Sequence, residues 1–305
     1  MTKYLIALLL TITSAWSMNS HSTTLTQPVL NDTAVITAHS NYGGAITSLK
    51  FRGEEWVNTP LYWTGAEDHG RSIQSAVWLN ELGECLNPTQ AGSDPRSQLI
   101  NSSWTRSNWQ HLTTIYTSSQ LGYWLEPGFS YQRGCGAHPE ITSAQNTSTM
   151  SNVILNSNYT LGYAGVPNVL TVNNAFNMDK KYTDGVFQTV WFSDQTFDQA
   201  EYINLTTGVI TPASKATEQW SPIIMYEADE QRAIGIYSKV PNMRFTWNYG
   251  HVDEFSSSHL SAYYRSFYFG KTVRAQSIVK TEVQFVFGTK LEVEATMKKL
   301  KLYNP

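Results

Sequence analysis

The chain has 305 residues, enough for one large domain or two small ones. Its formal net charge is −3 and only 15% of its residues are charged, so no strongly basic surface is available for nucleic acid or for an anionic membrane. Binding of a ligand through a strongly charged protein surface is therefore excluded.

The first 17 residues have the pattern of a cleavable signal peptide. Lys3 gives a basic start, and residues 4–12 are mostly apolar. The small residues Ala15 and Ser17 have the spacing of a signal-peptide cleavage site. The apolar run is about half the ~20 residues that a membrane-spanning helix needs. We expect residues 1–17 to be removed, leaving residues 18–305 as a single domain in a secreted or periplasmic, that is extracytoplasmic, protein.

Short runs of β-branched and aromatic residues alternate with turn residues over most of the chain, and long helices do not alternate with them. This pattern predicts an all-β fold, a large antiparallel β-sandwich. A long polar loop is expected around residues 143–158. The predicted strands are residues 34–39, 46–51, 54–57, 113–118, 121–125, 152–155, 169–173, 186–192, 202–205, 223–227, 233–239, 244–249, 260–269 and 277–287.

The densest group of polar residues lies at residues 68–76 and 83–93. His69 could act as a general acid or base, Arg71 could bind a carboxylate or vicinal hydroxyls, and Glu84 could be a base or the ion-pair partner of Arg71. A structural ion pair under a long loop is the alternative. The ligand-binding candidates of this group are Gln74, Trp78 and Asn87.

The two cysteines, Cys85 and Cys135, would most simply form a disulfide in an oxidising compartment. Free thiols or a cysteine nucleophile are the alternatives. A disulfide would bring the polar segment around His138 next to Glu84, because bonded cysteines have Cα atoms only about 5.5–6 Å apart. We therefore expect both segments to share one rim, with His138 as a ligand-binding candidate.

A third polar group follows near the C-terminal strands. It contributes His251 as a candidate acid or base, with Tyr263 and Arg265 as ligand-binding candidates. Neighbouring residues of a strand point to opposite faces, so at most one of Tyr263 and Tyr264 can face a cleft. After this group, residues 290–300 have helical periodicity and predict a short C-terminal helix that caps the sandwich.

Metal, nucleotide and serine-hydrolase motifs are missing from the sequence. We expect no metal ion and no cofactor. The 10 Trp, 17 Tyr and 12 Phe suit a sugar ligand, whose rings offer C–H surfaces for packing, but large sandwiches also use aromatic residues in their strands.

Residues 41–58, followed by Gly70 and Arg71, resemble the opening strands of the galactose mutarotase-like supersandwich proteins. Residues 68–76 and 87–93 also resemble a group of secreted bacterial proteins with similar Asp-His-Gly-Arg and Asn-Pro-Thr segments. The resemblance implies a β-supersandwich, to which the predicted C-terminal helix would be added. The paired histidines of true mutarotases have no match here, which disfavours simple aldose epimerisation.

Two functions follow from this resemblance. The first is a secreted protein that binds an oligo- or polysaccharide in a cleft, as a polysaccharide lyase or a glycoside hydrolase. The second is a non-catalytic, lectin-like carbohydrate-binding or cell-envelope interaction protein. The superfamily contains both kinds, so the fold does not choose between them.

Overall fold

A computed structural model of the protein describes residues 22–58, 73–91, 103–132, 134–194, 197–213, 218–219, 221–238, 243–249 and 260–303. The predicted signal peptide lies outside these residues. Within them the chain forms nineteen β-strands, two short 3-10 helices (Ser40–Tyr42 and Gly83–Leu86) and one α-helix. The prediction of an all-β fold with a short C-terminal helix is confirmed.

Four N-terminal strands form a small antiparallel sheet in chain order. They are β1 (Ser22–Val29), β2 (Asp32–His39), β3 (Ala45–Phe51) and β4 (Glu54–Asn58).

The remaining strands described form one large antiparallel sheet. The strands are β5 (Gln74–Trp78), β6 (Pro88–Thr89), β7 (Trp104–His111), β8 (Thr114–Tyr123), β9 (Met150–Tyr163), β10 (Val166–Asn177), β11 (Tyr182–Asp194), β12 (Gln199–Ile203), β13 (Ile210–Pro212), β14 (Glu218–Gln219), β15 (Ile223–Tyr226), β16 (Ala233–Tyr237), β17 (Met243–Tyr249), β18 (Leu260–Val273) and β19 (Ile278–Gly288). Their order in the sheet is β13-β12-β15-β16-β19-β10-β9-β8-β6-β5-β11-β18-β17-β14, and β7 pairs with β8 as an additional edge strand.

One face of the large sheet, here called the inner face, packs against the small sheet. Because side chains alternate along a strand, successive apolar residues go to different layers. Leu170 and Phe285 of the inner face join a core with Phe51 and Trp56 of the small sheet. The opposite, outer face presents Val169 and other apolar residues to the C-terminal helix.

The large sheet also folds over on itself. Val77 of β5 and Phe187 of β11 pack against Leu155 and Phe176 of the β9–β10 region, with the Phe176 and Phe187 ring centroids 5.3 Å apart. The inner faces of the two halves therefore meet, and their outer faces lie on opposite sides of the sandwich. This arrangement positions β5, β11 and β18 as one wall of the molecule.

The C-terminal helix α1 (Lys290–Tyr303) begins with a capping box. The Thr289 hydroxyl accepts a hydrogen bond from the Glu292 backbone N–H (3.3 Å), and the Glu292 carboxylate accepts one from the Thr289 N–H (2.8 Å). Its buried Val293, Met297 and Leu300 rest on the outer face. The predicted capping role of this helix is confirmed.

The structure differs from the sequence prediction at β8 and β9. Residues 113–118 and 121–125 were expected to form two strands, but β8 is continuous. The polar loop expected over residues 143–158 ends where β9 begins, at Met150. Val153 and Leu155 are buried while Asn152 and Asn156 are exposed. Because the exposed face of this strand is polar, its amino-acid composition is like that of a loop.

Candidate functional site

Strand β5 brings the predicted Gln74 into the same row of the sheet as the predicted Tyr263. The register sets Gln74 opposite Trp191 of β11, and Trp191 opposite Tyr263 of β18. Adjacent strands are about 4.8 Å apart, so the backbone positions of Gln74 and Tyr263, which are two strands apart, are separated by about 9.6 Å. Two segments nearly 190 residues apart in the chain are thus neighbours.

The adjacent row contains Arg265. Ala76 of β5 lies opposite Gln188 of β11, and Gln188 lies opposite Arg265 of β18. The β11 strand has irregular register on both sides, between Gln188 and Trp191 toward β5 and between Gln188 and Val190 toward β18. Only the backbone of Tyr263 and Arg265 is described, so these pairings give their positions in the sheet.

Gln74 also has an internal structural contact. Its side-chain oxygen accepts a hydrogen bond from the Ala91 backbone N–H (3.1 Å). In return, the Gln90 side-chain oxygen accepts one from the backbone N–H of Ser75 (3.1 Å). These reciprocal bonds hold β5 and the segment that ends at Ala91 side by side.

Asn87 and Trp78 contact each other directly. The Asn87 amide, oriented as its neighbours require, donates to the Val77 carbonyl oxygen (3.2 Å) and accepts from the indole Nε1–H of Trp78 (3.0 Å). Asn87 is buried and Trp78 is half-buried. Asn87 therefore orients the Trp78 ring, whose partly exposed surface is the portion that could contact a ligand.

The predicted disulfide between Cys85 and Cys135 is confirmed, and it joins the two segments expected to share a rim. The cysteine Cα atoms are 5.4 Å apart. The Ala137 backbone N–H donates to the Glu81 carbonyl (3.0 Å), and the Gln145 N–H donates to the Cys85 carbonyl (2.8 Å). The polar segment after Cys135 is consequently held against the segment before Cys85.

This contact is so close that it requires glycine. Gly136 has a φ of +55°, and a Cβ on it would lie 2.0 Å from the Glu81 carbonyl oxygen.

The titratable candidates on this rim do not meet in one buried site. The Glu84 carboxylate is half-buried, and no hydrogen bond or ion pair links it to another described residue. The exposed His138 pairs with Glu140, with 3.1 Å between Nδ1 and Oε1. The backbone N–H of Glu140 and the His138 ring both lower the pKa of Glu140.

Three of the four predicted catalytic residues, His69, Arg71 and His251, lie outside the described residues. Among the residues that the structure does describe, no three His, Cys, Asp or Glu side chains are grouped as metal ligands. None of the described helices has the length and apolar character needed to cross a bilayer.

Sequence reasoning missed a buried polar network on the inner side of β5. The Asn174 amide donates to the Ser75 hydroxyl (2.8 Å), and the Ser157 hydroxyl donates to the Asn174 oxygen (2.7 Å). Nearby, Gln90 donates from its amide nitrogen to the Tyr159 hydroxyl (2.8 Å) and to the Gly43 carbonyl (3.1 Å).

Burial raises the pKa of Tyr159 to about 12, although its hydrogen bonds oppose the shift, so the phenol stays neutral at physiological pH. The polar residues of this network come from distant strands and form no local motif that a sequence search could have found.

The chain matches no protein-family model and no curated protein in sequence. Its fold is similar to part of an α-mannosidase from Enterococcus faecalis, with 10% identity, a TM-score of 0.53, and coverage of 92% of this chain and 32% of that one. This match spans about a third of the mannosidase chain and shows similarity of fold alone.

Two smaller proteins were also matched over nearly their whole length. A proposed mutarotase from Salmonella typhimurium has 10% identity and a TM-score of 0.46, with coverage of 87% of this chain and 93% of that one. A proposed aldose 1-epimerase from Escherichia coli K12 has 7% identity and a TM-score of 0.42, with coverage of 88% and 100%. At these identities and TM-scores, both likenesses concern the fold alone.

Proposed function

We propose that this protein binds a carbohydrate on the outer face of β5, β11 and β18, beside the rim closed by the disulfide. The observation that carries the proposal is the register that sets Gln74 and Ala76 in the same two rows as Tyr263 and Arg265. Amide, phenol and guanidinium groups are the polar groups that sugar sites combine with an aromatic wall. Trp78 would supply that wall.

The proposed site includes two further candidates by their place in the sequence. Arg71 and His69 precede Gln74 by three and five residues, and both lie outside the described residues. They would add a cation and an imidazole to the site, and the variants below test this part of the proposal.

As an enzyme, the protein would be a lyase of acidic polysaccharides. Arg71 or Gln74 would bind the uronate carboxylate, and His69, His251 or Tyr263 would remove the proton beside it and return one to the leaving oxygen. A glycoside hydrolase would instead use Glu84 with a second carboxylate such as Glu140 or Glu254. The exposed position of Glu140 disfavours the pair of Glu84 and Glu140, and Glu254 lies outside the described residues.

The alternative function is non-catalytic glycan binding at the same site or at the cell envelope. It is supported by the two described groups of the rim: His138 pairs with the exposed Glu140, and the half-buried Glu84 has no hydrogen bond or ion pair with another described residue. The two functions agree on carbohydrate as the ligand and differ only in turnover. We further infer that the chain is exported, because a disulfide between its only cysteines suits an oxidising compartment.

The test is a glycan array combined with an assay for unsaturated uronates and new reducing ends, applied to the wild type, Arg71→Ala and His69→Ala. Arg274→Ala, at an exposed residue that follows the last residue of β18, is the matched control. We expect Arg71→Ala to weaken binding at least tenfold and His69→Ala to abolish turnover while binding persists. Binding and turnover that are unchanged in both variants would contradict the site, and a wild type that binds no glycan would contradict the ligand.

A further inference from the structure

The outer face of β7, β8, β9 and β10 forms a broad surface that α1 does not cover. Its rows follow from the strand register. One row runs from Trp109 through Tyr116 and Asn158 to Asn173. The next row contains Ser107, Ser118 and Asn156 at the equivalent positions. All of these side chains are exposed or half-buried.

Aromatic rings stand at one edge of this surface. The rings of Trp109 and Tyr116 stack with their centroids 4.3 Å apart and an interplanar angle of 12°. Trp109 remains 50% exposed and Trp104 53% exposed. Trp104 pairs with Gln120, four residues along β8 from Tyr116, so the two tryptophan positions are separated by about 13 Å, the rise of four residues in an antiparallel strand.

Unpartnered amides lie directly beside these rings. Asn158 and Asn173 face each other across β9 and β10, and Asn156 is the next outward residue of β9. No hydrogen bond links the side chains of these three asparagines to any other described residue. Each amide offers two donors and two acceptor lone pairs to a ligand. The spacing of these groups is set by the rigid sheet, so little ordering is required on binding.

The charge of this surface is low. In the rows of Trp109 and Ser107, charged residues occur only at the far strand β19, where Glu282 lies opposite Asn173 and Lys280 lies opposite Ala175. The two charges are of opposite sign and adjacent. Because these two charges offset each other, the two rows offer no net charge to a strongly acidic or basic ligand. A neutral ligand with many hydroxyls would find aromatic faces and amides.

We propose that this surface is a second ligand site, which binds a neutral polysaccharide chain. Trp109 and Trp104 would pack on sugar rings, and Asn156, Asn158 and Asn173 would hydrogen bond to hydroxyls. The 13 Å between the tryptophans is longer than one pyranose ring, so the ligand is a chain rather than a monosaccharide. This surface lies on the opposite side of the sandwich from Gln74, and it is independent of the site proposed above.

Native affinity electrophoresis tests the proposal with two neutral probes, hydroxyethyl cellulose and galactomannan, and two acidic probes, polygalacturonate and alginate. The variants are Trp109→Ala and the double variant Asn158→Ala/Asn173→Ala, with Trp109→Phe as the conservative replacement. Val209→Ala removes an exposed apolar side chain elsewhere and is the matched control. Circular dichroism verifies that every variant is folded.

We expect a neutral probe to retard the wild type. Trp109→Ala should bind about tenfold more weakly, the double asparagine variant should also bind more weakly, and Trp109→Phe should retain part of the affinity. Val209→Ala and Arg71→Ala should bind neutral probes like the wild type. This pattern, together with unchanged acidic-glycan binding in Trp109→Ala, separates the second site from the first.

Several outcomes would overturn the proposal. They are no retardation of the wild type by either neutral probe, equal retardation of wild type and Trp109→Ala, or loss of neutral-glycan binding in Arg71→Ala alone. A concentration-dependent dimer that Trp109→Ala dissociates, without any retardation, would also overturn it. That result would assign this surface to self-association through β7, which among the described strands pairs with β8 alone.

Discussion

Gln90 is fully buried, and its one amide group serves three partners. It accepts from the Ser75 backbone N–H and donates to the Gly43 carbonyl and the Tyr159 hydroxyl. These partners belong to β5, to the turn before β3 and to β9. One side chain thus connects the small sheet and both halves of the large sheet where the proposed ligand site begins.

Gln90→Leu should lower the free energy of unfolding by about 3 kcal/mol, because it leaves buried polar partners without a hydrogen bond. Urea unfolding followed by tryptophan fluorescence measures the change. The control is the exposed Gln110→Leu, which should change stability by less than about 0.5 kcal/mol. Equal stability of the two variants would show that the network contributes little.

At the residue scale, the sequence indicated which polar side chains lie near the candidate site, but it did not show which contacts they make. Gln74 and Asn87 were predicted to bind a ligand, and the structure gives both of them hydrogen bonds inside the protein. Whether they also contact a ligand stays a prediction. Gln90 and Asn174 were not singled out, because the sequence does not show whether an amide side chain is exposed or buried.

Helix α1 is held by packing on the outer face at one end of the large sheet. Met297 and Val293 lie against Gly235 of β16, where an added Cβ would be 2.4 Å from the Met297 sulfur. At the helix start, Lys290 pairs with Glu201 (3.0 Å) and Glu230 (3.1 Å). Apolar burial and these ion pairs together dock the helix.

Met297→Ala should lower the free energy of unfolding by about 3 kcal/mol, through lost burial and the cavity left under the helix. Leu291→Ala on the same helix is the matched control, since Leu291 is 74% exposed and its truncation should cost less than about 0.5 kcal/mol. Thermal unfolding of the two variants measures the difference. A Met297→Ala variant as stable as Leu291→Ala would mean that the helix is not docked as described.

At the scale of elements, the existence of most strands was predictable because apolar and β-branched residues alternate with turn residues. The prediction was weakest at β9, where the outer face is polar along most of the strand. Asparagine is disfavoured in strands, and four asparagines between residues 143 and 158 made a loop the simpler interpretation. Pairing with β8 and β10 outweighs that local preference.

At the scale of the whole molecule, the disulfide restricts the unfolded chain. It closes a loop across a sequence separation of 50 residues, which corresponds to about 4 kcal/mol in the chain-entropy treatment. Replacing both Cys85 and Cys135 by Ala should therefore lower the free energy of unfolding by about that amount.

Urea unfolding of the double variant, and of the reduced wild type, provides the measurement. The two should agree, because both lack the same link and their folded states differ little. If neither is less stable than the oxidised wild type, the link is not a significant source of stability. The result also bears on the rim, whose two segments the disulfide holds in contact.

The sequence by itself determined the fold class, the C-terminal helix and the cysteine pairing. Each of these depends on local pattern: alternation within a strand, helical periodicity over residues 290–300, and the presence of only two cysteines. Tertiary structure alone decided which polar residues meet. The irregular register of β11 sets Gln74 in the row of Tyr263, and Gln90 bonds to partners 47 and 69 residues away. Such pairings depend on how sheets pack and shift against each other, which no short stretch of sequence encodes.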